Sequence, residues 1–416
     1  MNYNVRPGKR SGVVSIPASK SCAHRQLICS ALAKESSILS CDGISKDIAA
    51  TIKCLNGLGA DIKVEDGVIT INPIKKVPEE ECHLYCGESG STLRFMIPVV
   101  GALGAKGTFH MEGLLSKRPL GPFVETLTAH GMTIVQEDEL LKCSGQLKSG
   151  DYTIPGNISS QYISGLLFAL PILEGDSTLT VTGKIESADY IAMTEGAIQN
   201  NGISFTINDA KYDIPGSQSY VAIPEGTVEQ DWSSAAFFCC MGAMSEKGIT
   251  ISEMNLNSRQ GDKEIINILK AFGANIEING KSITIKKDKL EGQVIDATAI
   301  PDLVPTISAL AAGAEGTTRI INAGRLRFKE SDRLQTTSDM LKALGADIEQ
   351  TEDGLIINGK KQLNSGVIDA ANDHRIAMSA AVAAGYCTGD VTVVGAECVQ
   401  KSYPDFWKHH EAMEVI

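Results

Sequence analysis

"ILKAFGANIEI" (268–278) and "MLKALGADIEQ" (340–350) are one phrase written twice. Each ends an amphipathic helix, places a glycine at its C-cap and starts an alternating strand. Looser copies occur as "CLNGLGADIKV" (54–64), "LTAHGMTIV" (127–135) and "AIQNNGISFTI" (197–207). After most of them a short turn and another strand follow, as in "EDGVITI" (65–71), "INGKSITI" (278–285) and "EDGLIING" (352–359). Such a recurrence fixes the architecture before any single element does.

A second phrase alternates with the first. It is an apolar helix, a Gly-containing turn and a β-branched strand. Its copies begin at "CAHRQLICSALA" (22–33), "GSTLRFMIPVVGALGA" (90–105) and "SQYISGLLFALPILEG" (160–175). They continue with "WSSAAFFCCMGA" (232–243), "PDLVPTISALAAG" (301–313) and "DHRIAMSAAVAAG" (373–385). Helices apolar on nearly every side belong inside. The expected element is βαβαββ, with helices packed on small sheets. The second phrase occurs six times and the first five, so one unit is incomplete. The chain opens on strand-like "YNVRPGKRSGVVSI" (3–16) and closes on helical "DFWKHHEAMEVI" (405–416), so the sixth unit closes across the termini. We therefore expect an α/β fold of two pseudo-threefold domains, each of three βαβαββ units with buried helices, facing across a substrate cleft. The domains are 17–226, and 1–16 with 227–416.

Composition narrows the function classes. With 416 residues, 43% hydrophobic and 21% charged, the chain has enough apolar material for two cores. A net charge of −12 argues against broad nucleic-acid binding, which rests on basic surface. The 11 cysteines are scattered, and Cys82, His83 and Cys86 in "ECHLYC" lack the further ligands of a zinc site. Unpaired thiols suit a reducing compartment, hence the cytoplasm. No signal-like apolar stretch opens the sequence, and "FMIPVVGALGA" (95–105) is too short to span a membrane.

The starts of the buried helices carry the chemistry. Ser, Asn, Asp and Gly there are ordinary caps. Lys20, Arg25, Arg94, His374 and Arg375 are not, because a cation at a helix N-terminus opposes the macrodipole unless an anion joins it. Backbone N–H groups and basic side chains converging on one spot make a phosphate or carboxylate site. "LSKRPLG" (115–121) adds Lys117 and Arg118 in a turn, and "CVQKSYPDF" (398–406) adds Lys401 in a loop. Neither a P-loop nor a dinucleotide fingerprint is present. In "FKESDRL" (328–334), Lys329 and Arg333 share a face if the segment is helical, where only an anion between them would relieve their repulsion. Glu330 in that stretch and Asp302 in "PDLVP" supply carboxylates inside the basic field, as acid–base chemistry requires.

The stretches "SKSCAHR", "SGSTLR", "LSKRPLGPFVETL", "SSQYISGLL", "RFKESDRL", "NDHRIAM" and "KSYPDF" occur in the order of a known family. Along essentially its whole length the chain resembles the 5-enolpyruvylshikimate-3-phosphate synthases (3-phosphoshikimate 1-carboxyvinyltransferases). The resemblance implies transfer of the enolpyruvyl group of phosphoenolpyruvate to the 5-hydroxyl of shikimate 3-phosphate, with release of phosphate and no metal or organic cofactor. It implies phosphoenolpyruvate ligands at Lys20, Gly90, Arg118, Gln161, Arg333, Arg375 and Lys401. Shikimate 3-phosphate would lie against Lys20, Ser21, Arg25, Ser159, Ser160, Gln161, Ser187, Tyr190, Asp302 and Lys329. Lys20, Asp302 and Glu330 are the implied proton-transfer groups. A cytoplasmic monomer acting on small anions, with neither nucleic acid nor membrane as partner, is implied too. Two polyanions bound between facing domains predict hinge closure, because helix N-termini of both domains would share their negative charge. Two positions depart from the pattern: Glu88 stands where an Asn is usual, and Arg325 where some members carry Asn. The sister enolpyruvyl transferase for UDP-N-acetylglucosamine carries a loop Cys that "HMEGLLSKRPLGPF" (110–123) lacks. A non-catalytic anion-binding repeat protein would have no use for Asp302 and Glu330.

Overall fold

The structure, a computed structural model, describes residues Met1 to Ile416. The chain divides into two compact units, Ala18–Val228, and Met1–Pro17 with Glu229–Ile416. Each has its own apolar core.

In Ala18–Val228 three four-stranded sheets repeat one topology. Strand Cys82–Gly87 runs parallel to Gly107–Met111, which pairs antiparallel with Leu140–Ser144, and Thr133–Glu137 forms the edge. Strands Asp151–Pro155, Ser177–Thr182, Lys211–Ile214 and Thr206–Asn208 repeat that order. The remaining sheet takes its first strand from the far end of the unit, where Glu225–Thr227 lies parallel to Ser37–Ser40. A division at 226/227 would cut this strand. It stays whole because its backbone pairs with Ser37–Ser40, so the sequence-drawn boundary moves past it.

The other unit uses the N-terminal segment twice. Arg10–Ser15 lies parallel to Ile249–Ser252, and Asn2–Val5 pairs antiparallel with Val391–Val394. The second pairing closes the sixth repeat across the termini, leaving a sheet of three strands. Strands Val294–Asp296, Thr317–Ile321, Leu355–Asn358 and Asp347–Gln350 form its complete counterpart.

The phrases behave as their chemistry dictates. Gly59, Gly131, Gly202, Gly273 and Gly345 all take positive φ, the left-handed conformation in which a side chain is strained. Helices Gly90–Ala102, Ser160–Ala169 and Trp232–Ala243 bury nearly every residue. Gly165 lets two of these cross closely: a Cβ there would stand 2.5 Å from the Arg94 carbonyl oxygen. No helix is long and apolar enough to cross a membrane.

Candidate active site

In Ala18–Val228 the candidate residues gather at helix starts. Lys20 and Ser21 open helix Lys20–Ala31, which Ser19 caps through the Cys22 N–H. Lys20 Nζ lies 2.9 Å from Asp47 Oδ2, in the first turn of helix Lys46–Gly57. Arg25, 3% exposed, donates to Thr194 Oγ1 (2.9 Å), the Ser21 carbonyl (2.7 Å) and the Tyr190 carbonyl (2.7 Å). It thus joins the first helix to helix Ala188–Asn200, which Ser187 precedes in a left-handed conformation.

A second group forms around Gly90, the first residue of helix Gly90–Ala102. A Cβ on Gly90 would stand 2.6 Å from Arg94 Nη1 and 2.8 Å from Arg118 Nη1. Two guanidinium groups therefore converge on the space beside Gly90, which a larger residue would share only by displacing them. Arg94 donates to Gln161 Oε1 (2.9 Å), and Gln161 Nε2 donates to Ser91 Oγ (2.8 Å). Ser159 caps helix Ser160–Ala169 by accepting from the Gln161 N–H. Glu88 folds over Gly113: a Cβ there would meet its Oε2 at 2.6 Å, and Gly113 has φ +59°.

In the other unit, Arg333 is the hub. It is 1% exposed and binds three carboxylates. Nε and Nη2 grip Asp373 (2.8 and 3.2 Å), Nη2 also reaches Glu330 Oε2 (2.7 Å), and Nη1 reaches Asp302 Oδ1 (2.8 Å). Asp302 further meets Arg375 Nη2 at 2.9 Å and Lys329 Nζ at 3.7 Å. Burial alone would push the Asp302 carboxyl up, but Arg375, Lys329 and Arg333 hold it well below the usual carboxylate range. Burial, with Arg325 and Arg333 nearby, brings the Lys329 ammonium down to about 8 despite Asp302. Asp262, 2% exposed, is pushed up to about 7 by burial and then by Asp302.

Two sequence expectations are corrected here. Lys329 and Arg333 do not share a helical face: helix Arg333–Ala343 starts at Arg333, Asp332 caps it, and Lys329 is extended. The capping carboxylate at Asp332, also paired with Arg327 at 3.1 Å, makes a helical start upstream unnecessary. Lys401 is not in a loop but ends the 3₁₀ segment Ala396–Lys401, 6% exposed, and donates to the Asn372 carbonyl at 2.6 Å. Arg94 and Asp373 belong to the clusters although neither stood among the expected ligands. Arg94 was visible as a cation at a helix start. Asp373 carried only the signal of a cap in "NDHR", because its partner Arg333 lies forty positions earlier.

Oriented carboxylates set against buried cations suit an enzyme that moves protons on anionic substrates. Comparison with known proteins is more specific. Residues 5–409 match the family described as EPSP synthase (3-phosphoshikimate 1-carboxyvinyltransferase). A protein of that name from Clostridium kluyveri is 40% identical over 417 residues, covering 99% of this chain and 97% of the relative. One from Clostridium perfringens is 42% identical over 414 residues, covering 98% and 97%. The solved EPSP synthase of Acinetobacter baumannii superposes with a TM-score of 0.81 at 29% identity, covering 100% of this chain and 98% of that one. The chain belongs to the EPSP synthase family.

Proposed function

We propose that this chain transfers the enolpyruvyl group of phosphoenolpyruvate to the 5-hydroxyl of shikimate 3-phosphate and releases inorganic phosphate, a step of aromatic amino acid biosynthesis. Beyond family membership, the observation that carries the chemistry is the Arg333 cluster. One buried guanidinium fixes both candidate proton-transfer carboxylates, Asp302 and Glu330.

In this reading Asp302 takes the proton of the 5-hydroxyl as its oxygen bonds to C2 of the donor. Glu330 delivers a proton to the methylene carbon, giving a tetrahedral ketal phosphate. Loss of phosphate, which carries off the proton held by Asp302, and return of a methyl proton to Glu330 then regenerate the enol ether, with Lys20 assisting. Asp302 is a weak base while three cations surround it. Substrate anions that draw Arg375 and Lys329 toward themselves remove that compensation and raise its basicity as the complex forms.

Phosphoenolpyruvate is assigned to Lys20, Gly90, Arg118, Gln161, Arg333, Arg375 and Lys401. The converging Arg94 and Arg118 Nη1 atoms at Gly90 support the middle of that set. Shikimate 3-phosphate is assigned to Lys20, Ser21, Arg25, Ser159, Ser160, Gln161, Ser187, Tyr190, Asp302 and Lys329. The bonds of Arg25 to Ser21 and Tyr190 support its grouping. The units Ala18–Val228 and Met1–Pro17 with Glu229–Ile416 are read as the two functional domains.

The test is phosphate release in the presence of phosphoenolpyruvate. Release that depends on shikimate 3-phosphate is expected. Release that depends on UDP-N-acetylglucosamine instead overturns the reading. A reducing, cytoplasmic compartment is supported by eleven cysteines outside any disulfide, and a monomer is proposed with it. Light scattering should give a mass near 44.2 kDa.

A further inference from the structure

Four buried polar side chains in Ala18–Val228 take no part in the reaction above. His24, Thr51, Thr92 and Ser89 are all 0% or 1% exposed. They come from helix Lys20–Ala31, helix Lys46–Gly57, and helix Gly90–Ala102 with its cap. His24 Nδ1 lies 2.6 Å from Thr51 Oγ1, which lies 2.7 Å from Thr92 Oγ1. Thr92 Oγ1 donates to Ser89 Oγ at 2.8 Å.

Proton counting gives this chain a direction. Each hydroxyl has one proton to donate. Thr92 gives its proton to Ser89, so the Thr51–Thr92 bond must use the proton of Thr51. The lone pair of Thr51 is then what His24 meets, and Nδ1 must carry the imidazole proton. Nε2 is left as a bare nitrogen, and it has no hydrogen-bond partner. Burial, then the charges of Lys20 and Arg25, hold the His24 imidazole well below its ordinary pKa. A neutral ring with a single N–H is what this end of the chain requires.

The ends of the chain mark what it connects. His24 lies one helical turn from Lys20 and beside Arg25. Ser89 adjoins Gly90, where the Arg94 and Arg118 guanidinium groups converge. Helix Lys20–Ala31 has further anchors in the Lys20–Asp47 pair and the Arg25 bonds to Thr194 and Tyr190. Burying four polar groups is costly unless each is bonded. Bonded, they fix a geometry that interchangeable apolar side chains would leave loose.

We propose that His24 is a positioning residue which, through Thr51 and Thr92, holds the Ser89–Gly90 turn in register with helix Lys20–Ala31 and so sets the Gly90 anion subsite for the enolpyruvyl donor. The proposal rests on the functional reading above. Thr51→Val keeps the side-chain shape and removes the central hydroxyl. Its KM for phosphoenolpyruvate should rise about tenfold, the effect of one net hydrogen bond. Calorimetric Kd for shikimate 3-phosphate on the free enzyme should stay within about twofold. Thr51→Ser should restore the donor KM. An unchanged donor KM in folded Thr51→Val overturns the proposal. So does a parallel loss of both affinities and of the melting temperature, which would mean a merely structural role. ¹⁵N NMR of the histidine rings tests the network without turnover. The His24 proton should reside on Nδ1 in the unaltered protein, and a proton on Nε2 overturns the proposal. An unaltered protein that releases no phosphate yet keeps Nδ1–H fails the functional reading and leaves the network standing.

Discussion

Arg25 and Arg333 are both buried, at 3% and 1% exposed, and both lie near helix starts, yet they are solved in opposite ways. Arg25 bonds only to neutral oxygens, those of Thr194, Ser21 and Tyr190. Burial pulls its guanidinium down to about 10. Arg333 is gripped by Asp373, Glu330 and Asp302, which hold it above its ordinary value although burial pulls the other way. Neutral acceptors orient a charge without cancelling it, so Arg25 stays an attractor for an anion. Carboxylate partners offset the charge, and Arg333 also orients the groups that bind it. Arg25 thus presents positive charge, whereas Arg333 holds aimed carboxylates. An acid–base reaction on anionic substrates needs both.

The largest effect that could break this contrast is on stability. Arg333→Met should cost about 3–5 kcal/mol by chemical denaturation, because buried Asp373 loses the guanidinium that pairs it and Asp302 and Glu330 each lose one cation. A loss below about 1 kcal/mol would mean that Arg333 is not the hub. Glu330→Gln should retain binding of both substrates while turnover falls by about a hundredfold or more. Unchanged turnover would remove Glu330 from the reaction. Arg25→Met should lose only about 1–2 kcal/mol of stability, since its partners are neutral. Its affinity for shikimate 3-phosphate should fall by about tenfold or more, the worth of a lost charge-assisted bond. An intact affinity would deny Arg25 its role as an attractor.

The pH dependence sharpens the same comparison through Lys329. Its ammonium titrates at about 8 in the folded protein against an ordinary 10.5. Between these values the unfolded chain keeps a proton that the folded chain has released. This group's contribution to stability therefore rises with pH across that window. Anion binding runs the other way, because charge is lost as pH passes about 8. Shikimate 3-phosphate affinity should fall on that alkaline limb, and Lys329→Arg should flatten it, since arginine stays charged. The smallest effect concerns Asp332, whose carboxylate accepts from the Gln335 N–H. Asp332→Ala should cost about 1 kcal/mol of stability through the lost cap.

Much of this was legible in the chain. The five Gly phrases and six apolar helices are local chemistry repeated, so they announced the βαβαββ unit and the closure across the termini. The cations at helix starts were legible because they contradict the macrodipole. Asp373 was not, since capping a helix and clamping an arginine from a distant segment use the same side chain. Nor could the course of "FKESDRL" be read. A charge run is compatible with several helix starts, and the Asp332 cap decides among them only once the backbone is placed.

Sequence by itself therefore determined the periodicity, the glycine turns, the basic helix starts and the family. Those are properties of neighbouring residues, and spacing along the chain encodes them. Tertiary structure alone decided which carboxylate compensates which cation. It also placed Glu225–Thr227 beside Ser37–Ser40 and lined up His24, Thr51, Thr92 and Ser89. Partners of that kind meet only when distant segments pack, and the resulting burial and proximity set the charge states on which the proposed chemistry depends.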